Sequence, residues 1–132
     1  MTYLSAKARH IRLGARGERI AEKLLRTKNY RILCRNYKVK SGEIDLVARD
    51  GENLVFIEVK TRRNTTRSRP AEGLSAKQKR RIHRAAQNYL RSIGEPEVIY
   101  RFDLIEIVLS RFAIHEIRHW ENNFTGSFSI YN

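Results

Sequence analysis

Apolar residues recur along this chain with two different periods. In residues 14–28, Ile20, Ala21, Leu24 and Leu25 fall on one face at helical spacing, which predicts a helix. Residues 30–39 carry Tyr30, Ile32, Leu33, Tyr37 and Val39 and predict a strand with an irregular end at Arg35–Asn36. After a turn signal at Ser41–Gly42, residues 43–49 and 54–60 predict two strands. Asp50-Gly51-Glu52-Asn53 between them is a hairpin turn signal. Residues 62–74 are basic and polar, with Pro70 and Gly73, and predict an exposed, mobile loop. Ser75 with Gln78 matches a capping box ahead of a helix over 76–93, whose apolar stripe is Ile82, Ala86, Tyr89, Leu90 and Ile93. Gly94–Pro96 stops that helix, and residues 98–109 and 112–118 predict two further strands across a turn at Ser110–Arg111. The order is helix, three strands, helix, two strands. It predicts an α/β or α+β layered domain with a mixed sheet. At 132 residues the chain suits one domain over residues 1–120, with a basic arm at 1–12 and a loosely held tail at 121–132.

Side-chain alternation gives the 43–60 hairpin two unlike faces. If residues 50–53 form the turn, Arg49 pairs with Leu54 and Asp45 with Glu58; a two-residue turn pairs Asp45 with Phe56 instead, and either way Asp45, Glu58 and Lys60 share a face. One face then reads Ile44, Leu46, Ala48, Val55, Ile57 and Val59, wholly apolar. The other reads Glu43, Asp45, Val47, Phe56, Glu58 and Lys60, apolar near the turn and charged far from it. Such a pair of strands is central in a sheet. Carboxylates buried there are costly unless paired or bound to a cation, and two acids facing each other at ~5 Å repel. Hard divalent cations take oxygen ligands, and Mg²⁺ typically uses one or two carboxylates plus waters and phosphate oxygens. Asp45 and Glu58 would supply the carboxylates and the Val59 backbone carbonyl a third oxygen. Lys60 points the same way and can hold an attacking water or a phosphate as a cation. The chemistry such a group serves is in-line hydrolysis of a phosphodiester. The alternative is an ion-pair cluster of the same residues on a solvated sheet end.

The charge balance favours a polyanionic partner. Lys and Arg total 27 against 14 acids, a net +13. Between Lys60 and Arg84 stand Lys60, Arg62, Arg63, Arg67, Arg69, Lys77, Lys79, Arg80, Arg81 and Arg84 against the single acid Glu72. That is a footprint for a phosphate backbone, the bland reading being a solvated basic face. No apolar run approaches the ~20 residues that span a membrane, and the basic residues lack an apolar face that would seat them on one. Cys34 is the one cysteine; an intramolecular disulfide is impossible, and a buried thiol in a reducing cytoplasm is expected.

Particular residues carry a family resemblance. Gly14-x-x-Gly17-Glu18, Asn36-Tyr37, Gly42-Glu43-Ile44-Asp45-Leu46-Val47, Phe56-Ile57-Glu58-Val59-Lys60-Thr61-Arg62 and Arg101-Phe102-Asp103 strongly resemble the YraN-like family of bacteria. That family looks like a member of the restriction-endonuclease-like, or PD-(D/E)xK, superfamily, and is similar to archaeal Holliday-junction resolvases. The resemblance implies a mixed central sheet flanked by helices and a Mg²⁺ or Mn²⁺ site. Asp45 and Glu58 would be metal ligands and Lys60 the catalytic lysine. Glu18 would match an extra acid of resolvase-like members, its alternative being an ordinary helix acid that favours the dipole. Gln78 stands where some relatives place a helix residue near the site, and the capping box explains it equally well. The superfamily's proline before the aspartate is replaced by Ile44. Arg101 and Asp103 match the family pattern and read as a structural ion pair. DNA, possibly branched or single-stranded, is the implied substrate, and two-strand cutting implies a homodimer.

Two rivals stand beside the nuclease: a non-catalytic nucleic-acid-binding protein on the same scaffold, and a scaffold whose basic surface meets an acidic protein. His115-Glu116-Ile117-Arg118-His119 matches the zinc-protease pattern HExxH, which requires a helix. In the strand expected here the two histidines stand about 13 Å apart. His10 and His83 lie among cations and read as surface residues.

Overall fold

The computed structural model describes residues 3–64, 73–94 and 97–122, with side chains of the first helix described from residue 12. The elements run α1 (Tyr3–Thr27), β1 (Arg31–Val39), β2 (Gly42–Asp50), β3 (Asn53–Arg63), α2 (Ala76–Ile93), β4 (Tyr100–Leu109) and β5 (Ile114–Trp120). The five strands lie in one sheet in chain order, antiparallel except for the parallel pair β3–β4. A parallel pair needs a crossover connection, and α2 lies in it. The chain is thus an α/β domain with a mixed five-stranded sheet and two helices.

Each helix covers one face of the sheet. Ala21 and Leu25 of α1 are buried against Leu46, Ala48, Val55, Ile57, Ile105 and Ile107. Ile82, Ala85, Ala86 and Leu90 of α2 are buried against Ile44, Val47, Leu54, Phe56, Phe102 and Leu104. Two glycines set how closely the helices approach. A Cβ on Gly17 would overlap the Thr61 side chain of β3, and one on Gly42 would overlap the backbone carbonyl of Arg81 in α2. Both ends of α2 match expectation. Gln78 N–H donates to Ser75 Oγ at 3.1 Å and Ser75 N–H to Gln78 Oε1 at 2.9 Å, and Gly94 closes the helix with φ 63°.

Several expectations need correction. The segment read as a basic arm at 1–12 is helical from Tyr3, because its Ala, Lys, Arg and Leu residues favour helix strongly enough to carry Gly14 and Gly17. β3 continues to Arg63, into the region read as a loop, because β4 pairs with it in register as far as Leu109. In β1 the irregularity lies between Ile32 and Cys34, although Asn36 does take a positive φ of 50°. Cys34 is half-buried rather than buried. His83 is buried, not at the surface, with its ring 4.3 Å from that of Phe102. Residues 65–72 and 123–132, with most of the expected loop and tail, and the His10 side chain lie outside the described residues.

Arg101 and Asp103 do form a structural ion pair, within a larger buried network. Arg101 Nε donates to Asp103 Oδ1 at 3.0 Å, and its Nη2 donates to Tyr30 Oη at 2.6 Å and Asp50 Oδ2 at 3.1 Å. His119 Nε2 lies 2.8 Å from Asp103 Oδ2, and Asn122 N–H donates to Asp103 Oδ1 at 2.9 Å. Burial works to raise the Asp103 carboxyl; the bonds from His119, Asn122 and Arg101 outweigh it and hold the group below its ordinary range. Being spent on this network within β5, His119 is set apart from the exposed His115, so the HExxH pattern forms no zinc site.

Candidate functional site

The site is built where the β2–β3 ladder stops. The register runs Asp50↔Asn53, Arg49↔Leu54 and on to Leu46↔Ile57, its last pair. One step further would set Asp45 opposite Glu58, as the hairpin register predicts, but backbone pairing does not continue. Instead Val59 N–H donates to Asp45 Oδ2 at 2.8 Å. The N–H and C=O of one strand residue point to the same side, so the Val59 carbonyl is also directed toward β2 there.

The alternation of β2 breaks at this point. Leu46 and Ala48 pack on the α1 side, whereas Ile44 packs on the α2 side with Val47. The expectation that Ile44 shares a face with Leu46 is therefore overturned. In β3 the alternation holds: Val55, Ile57 and Val59 face α1, which puts Glu58, Lys60 and Arg62 on the face of Phe56. Asp45 sits in the break and is reached from both directions, by Glu18 of α1 and by Glu58 of β3. The close seat of Gly17 on Thr61 brings the next residue of the helix, Glu18, to the sheet at this position.

Electrostatics follow from burial and crowding. Burial pushes the Glu58 carboxyl up to about 9, helped by the Asp45 charge and by the hydrogen bond Glu58 donates to Asp45; Lys60 opposes the rise. Burial, the Asp45 charge and a hydrogen bond to Asp45 push Glu18 up to about 7. Asp45 is also raised by burial, although bonds from Val59, Glu58 and Glu18 work against it. All three carboxyls are thus held above their ordinary range, Glu58 further than Glu18, and Asp45 accepts hydrogen bonds from both. Among the described residues no three His, Cys, Asp or Glu side chains already surround a common cation position. The acids bond to one another in a chain centred on Asp45. Their oxygens, with the Val59 carbonyl, are the donor type that Mg²⁺ and Mn²⁺ take.

Solvent reaches Asp45 from the α1 side. A cleft of about 200 Å³ is lined by Ala15, Glu18, Arg19, Glu22, Arg35, Asn36, Asp45 and Leu46. Arg35 is tied to Glu22 at 2.5 Å, and Arg19 lines the same cleft.

Of the other expected residues, Lys60 is half-buried beside Glu58. Gln78 is committed to the capping box, its Oε1 accepting from Ser75 N–H and its N–H donating to Ser75 Oγ. Arg63, Lys77, Arg80, Arg81 and Arg84 are exposed, Lys79 is half-buried, and Arg67 and Arg69 lie outside the described residues. Arg62 is turned inward: its Nη2 donates to Glu106 Oε2 at 2.9 Å. Glu106, which the sequence reading passed over, is 2% exposed and stands in register with Lys60 on one side and Arg118 on the other. Its signal was a lone acid in the apolar run Leu104-Ile105-Glu106-Ile107-Val108, a position that requires a partner.

Comparison with known proteins places this geometry in a family. The model of the uncharacterised protein family UPF0102 matches residues 17–107. The chain belongs to the UPF0102 family. It is similar to the UPF0102 protein of Chlorobaculum tepidum, 44% identical over 109 residues, which is 83% of this chain and 84% of that one. It is likewise similar to the UPF0102 proteins of Symbiobacterium thermophilum, 45% identical over 73% of this chain and 81% of that one, and of Alkaliphilus oremlandii, 42% identical over 86% and 97%. The YraN-like resemblance of the sequence reading is to this same family. The UPF0102 match opens at Gly17 and closes just past Glu106, so it takes in every acid of the site and both strands that hold them.

Proposed function

We propose that the protein is a divalent-metal-dependent nuclease of restriction-endonuclease-like architecture, hydrolysing phosphodiester bonds in nucleic acid. The observation that carries this reading is the convergence of Glu18, Asp45 and Glu58 at the end of the β2–β3 ladder, with Lys60 beside Glu58. Glu18 and Asp45 line the cleft on the α1 side, and Glu58 and Lys60 stand behind Asp45 on the other face of β3. Three carboxyls gathered here are all pushed up by burial, Glu18 and Glu58 by the Asp45 charge as well, which is a cost to the ionised site that a cation relieves. Mg²⁺ or Mn²⁺ would be held by Asp45, Glu58 and the Val59 carbonyl, with Glu18 as a further oxygen donor. The cation supplies Lewis acidity. Asp45 is fixed by the Val59 N–H, so its second oxygen is positioned without cost at the moment of reaction. Lys60 would orient water or a phosphate oxygen at the open end of the ladder. Exposed Lys77, Arg80, Arg81 and Arg84 on α2 supply a charged track for the phosphate backbone, with DNA the favoured polymer. The layered α/β fold and mixed sheet agree with the superfamily reading, in which a homodimer cuts two strands.

A second reading is a nucleic-acid-binding protein without cleavage on the same scaffold. It is favoured by the way the acids bond to one another rather than surround a cation position among the described residues. A cleavage panel of single-stranded, duplex, flap and four-way-junction DNA with Mg²⁺ and Mn²⁺ separates the two. The nuclease reading expects metal-dependent cuts that vanish in Asp45→Ala and Glu58→Ala while binding persists. Salt-sensitive binding with no cut on any substrate overturns it in favour of the second.

A further inference from the structure

We infer that Phe112, at the tip of the β4–β5 hairpin, is a stacking platform for an unpaired base of a nucleic-acid strand; this rests on the nucleic-acid reading above and names the form of polymer the protein engages. Phe112 is 86% exposed, the most exposed large apolar residue among those described. Among the described residues no element covers the ring, so the cost of leaving it in water is not offset there. The turn that carries the ring is closed by hydrogen bonds. Ser110 N–H and Ser110 Oγ both donate to the Ala113 carbonyl, at 2.8 and 3.0 Å, and close the turn beneath it. Asn64 N–H donates to the Leu109 carbonyl at 2.7 Å and ties the end of β3 to the same hairpin.

The surroundings are cationic. The Arg111 guanidinium lies 5.3 Å from the Phe112 ring centroid. Arg62 and Arg63 are in register with Val108 and Leu109 at the base of the tip. Arg118 lies further along β5. Arg62 and Arg118 are paired with the nearby acids Glu106 and Glu116, so the surplus positive charge at the tip lies on Arg111 and Arg63. An aromatic face beside guanidinium groups is the combination that holds single strands, because every base has a π-face and every linkage a phosphate. In a duplex those faces are stacked away, so the platform selects for unpaired segments. Arg63 lies roughly 17 Å along β3 from Glu58 at ~3.3 Å per residue, within the span of a few nucleotides of one strand.

A protein partner or a second copy fits less well. Ile99, the other strongly exposed apolar residue described, precedes β4 at its far end, which leaves only Phe112 and Ile114 in the patch. That is far short of the roughly 800 Å² per partner of a stable interface.

The test uses the full chain in EDTA, with fluorescence anisotropy of a labelled single-stranded oligonucleotide and of its duplex. Phe112→Ala is expected to weaken single-strand binding about 10-fold and duplex binding less than about 2-fold, with Phe112→Trp restoring the difference. Equal affinity of wild type and Phe112→Ala for the single strand overturns the inference while leaving the nucleic-acid reading intact. So does a loss that Phe112→Trp fails to restore. A wild-type chain that binds neither oligonucleotide at low salt overturns both.

Discussion

The backbone N–H of Val59 donates to Oδ2 of Asp45 at 2.8 Å, across the point where the ladder between β2 and β3 ends. A side chain here takes the place of a main-chain acceptor, which lets the strands part without stranding a donor. Asp45 therefore has a structural and a chemical role, and two substitutions separate them. Asp45→Asn keeps an amide oxygen for Val59 and removes the charge. It is expected to leave the unfolding midpoint within a few degrees of wild type and to abolish divalent-cation binding. Asp45→Ala also removes the acceptor and should cost about 1–3 kcal/mol in urea unfolding. Equal stability of the two variants would show that the Val59 bond contributes nothing.

Glu58 sets a pH dependence with a definite sign. Its carboxyl is pushed up to about 9 by burial first and then by Asp45, whereas the unfolded chain releases that proton near 4.5. Between those values the folded state holds a proton that the unfolded state has lost, so stability falls as pH rises through the window. Glu58→Gln removes this slope. In the absence of divalent cations the variant should melt ~3–5 °C above wild type at pH 8, and close to it at pH 5. Mg²⁺ or Mn²⁺ should raise the wild-type midpoint at pH 8 and leave Glu58→Gln unmoved, because bound metal replaces the proton. Scanning calorimetry at the two pH values, with and without metal, reads all of this.

The parts of the fold that local chemistry dictates were legible. The capping box of Ser75 and Gln78 and the αL glycine at Gly94 fixed both ends of α2. The turn signal at Asp50–Asn53 marked the hairpin, and of the two registers open to it the one that pairs Arg49 with Leu54 is observed, as far as Leu46↔Ile57. What depended on a distant neighbour was not legible. The burial of His83 needs the ring of Phe102, and the extension of β3 to Arg63 needs a parallel partner from β4. The break of alternation at Asp45 is likewise invisible in a period-two pattern, because Ile44 and Leu46 are both apolar and each is buried, on opposite faces.

Gly17 offers a test of how α1 positions Glu18. A methyl group there would meet the Thr61 hydroxyl, Cβ and Cγ2 together, so rotating one side chain does not make room. The helix must lift from β3, and Glu18 with it. Gly17→Ala is expected to cost about 1–3 kcal/mol despite the better helix propensity of alanine. The double variant Gly17→Ala with Thr61→Ser removes the Cγ2 overlap and should recover part of that loss. A Gly17→Ala chain as stable as wild type would mean that α1 is not held at this distance.

Arg62 and Glu106 form an ion pair with unequal ends, and the inequality predicts an order of stabilities. Glu106 is buried, whereas the Arg62 side chain is 32% exposed. Removing the arginine strands a buried carboxylate with its nearest donor gone; removing the acid leaves a guanidinium that still reaches water. Arg62→Ala should therefore cost about 3 kcal/mol and Glu106→Gln about 1 kcal/mol in urea unfolding at neutral pH. The double replacement Arg62→Ala with Glu106→Leu should regain most of the loss, since an apolar side chain suits the surroundings of Leu104 and Val108 better than an unpaired charge. The same variants bear on binding, because Arg62 shares a strand face with Glu58 and Lys60. Freed from Glu106, the guanidinium loses its fixed direction, so Glu106→Gln should weaken nucleic-acid binding severalfold while lowering stability little. If Glu106→Gln instead proves the more destabilising of the two single changes, the carboxylate has a further partner that outweighs Arg62.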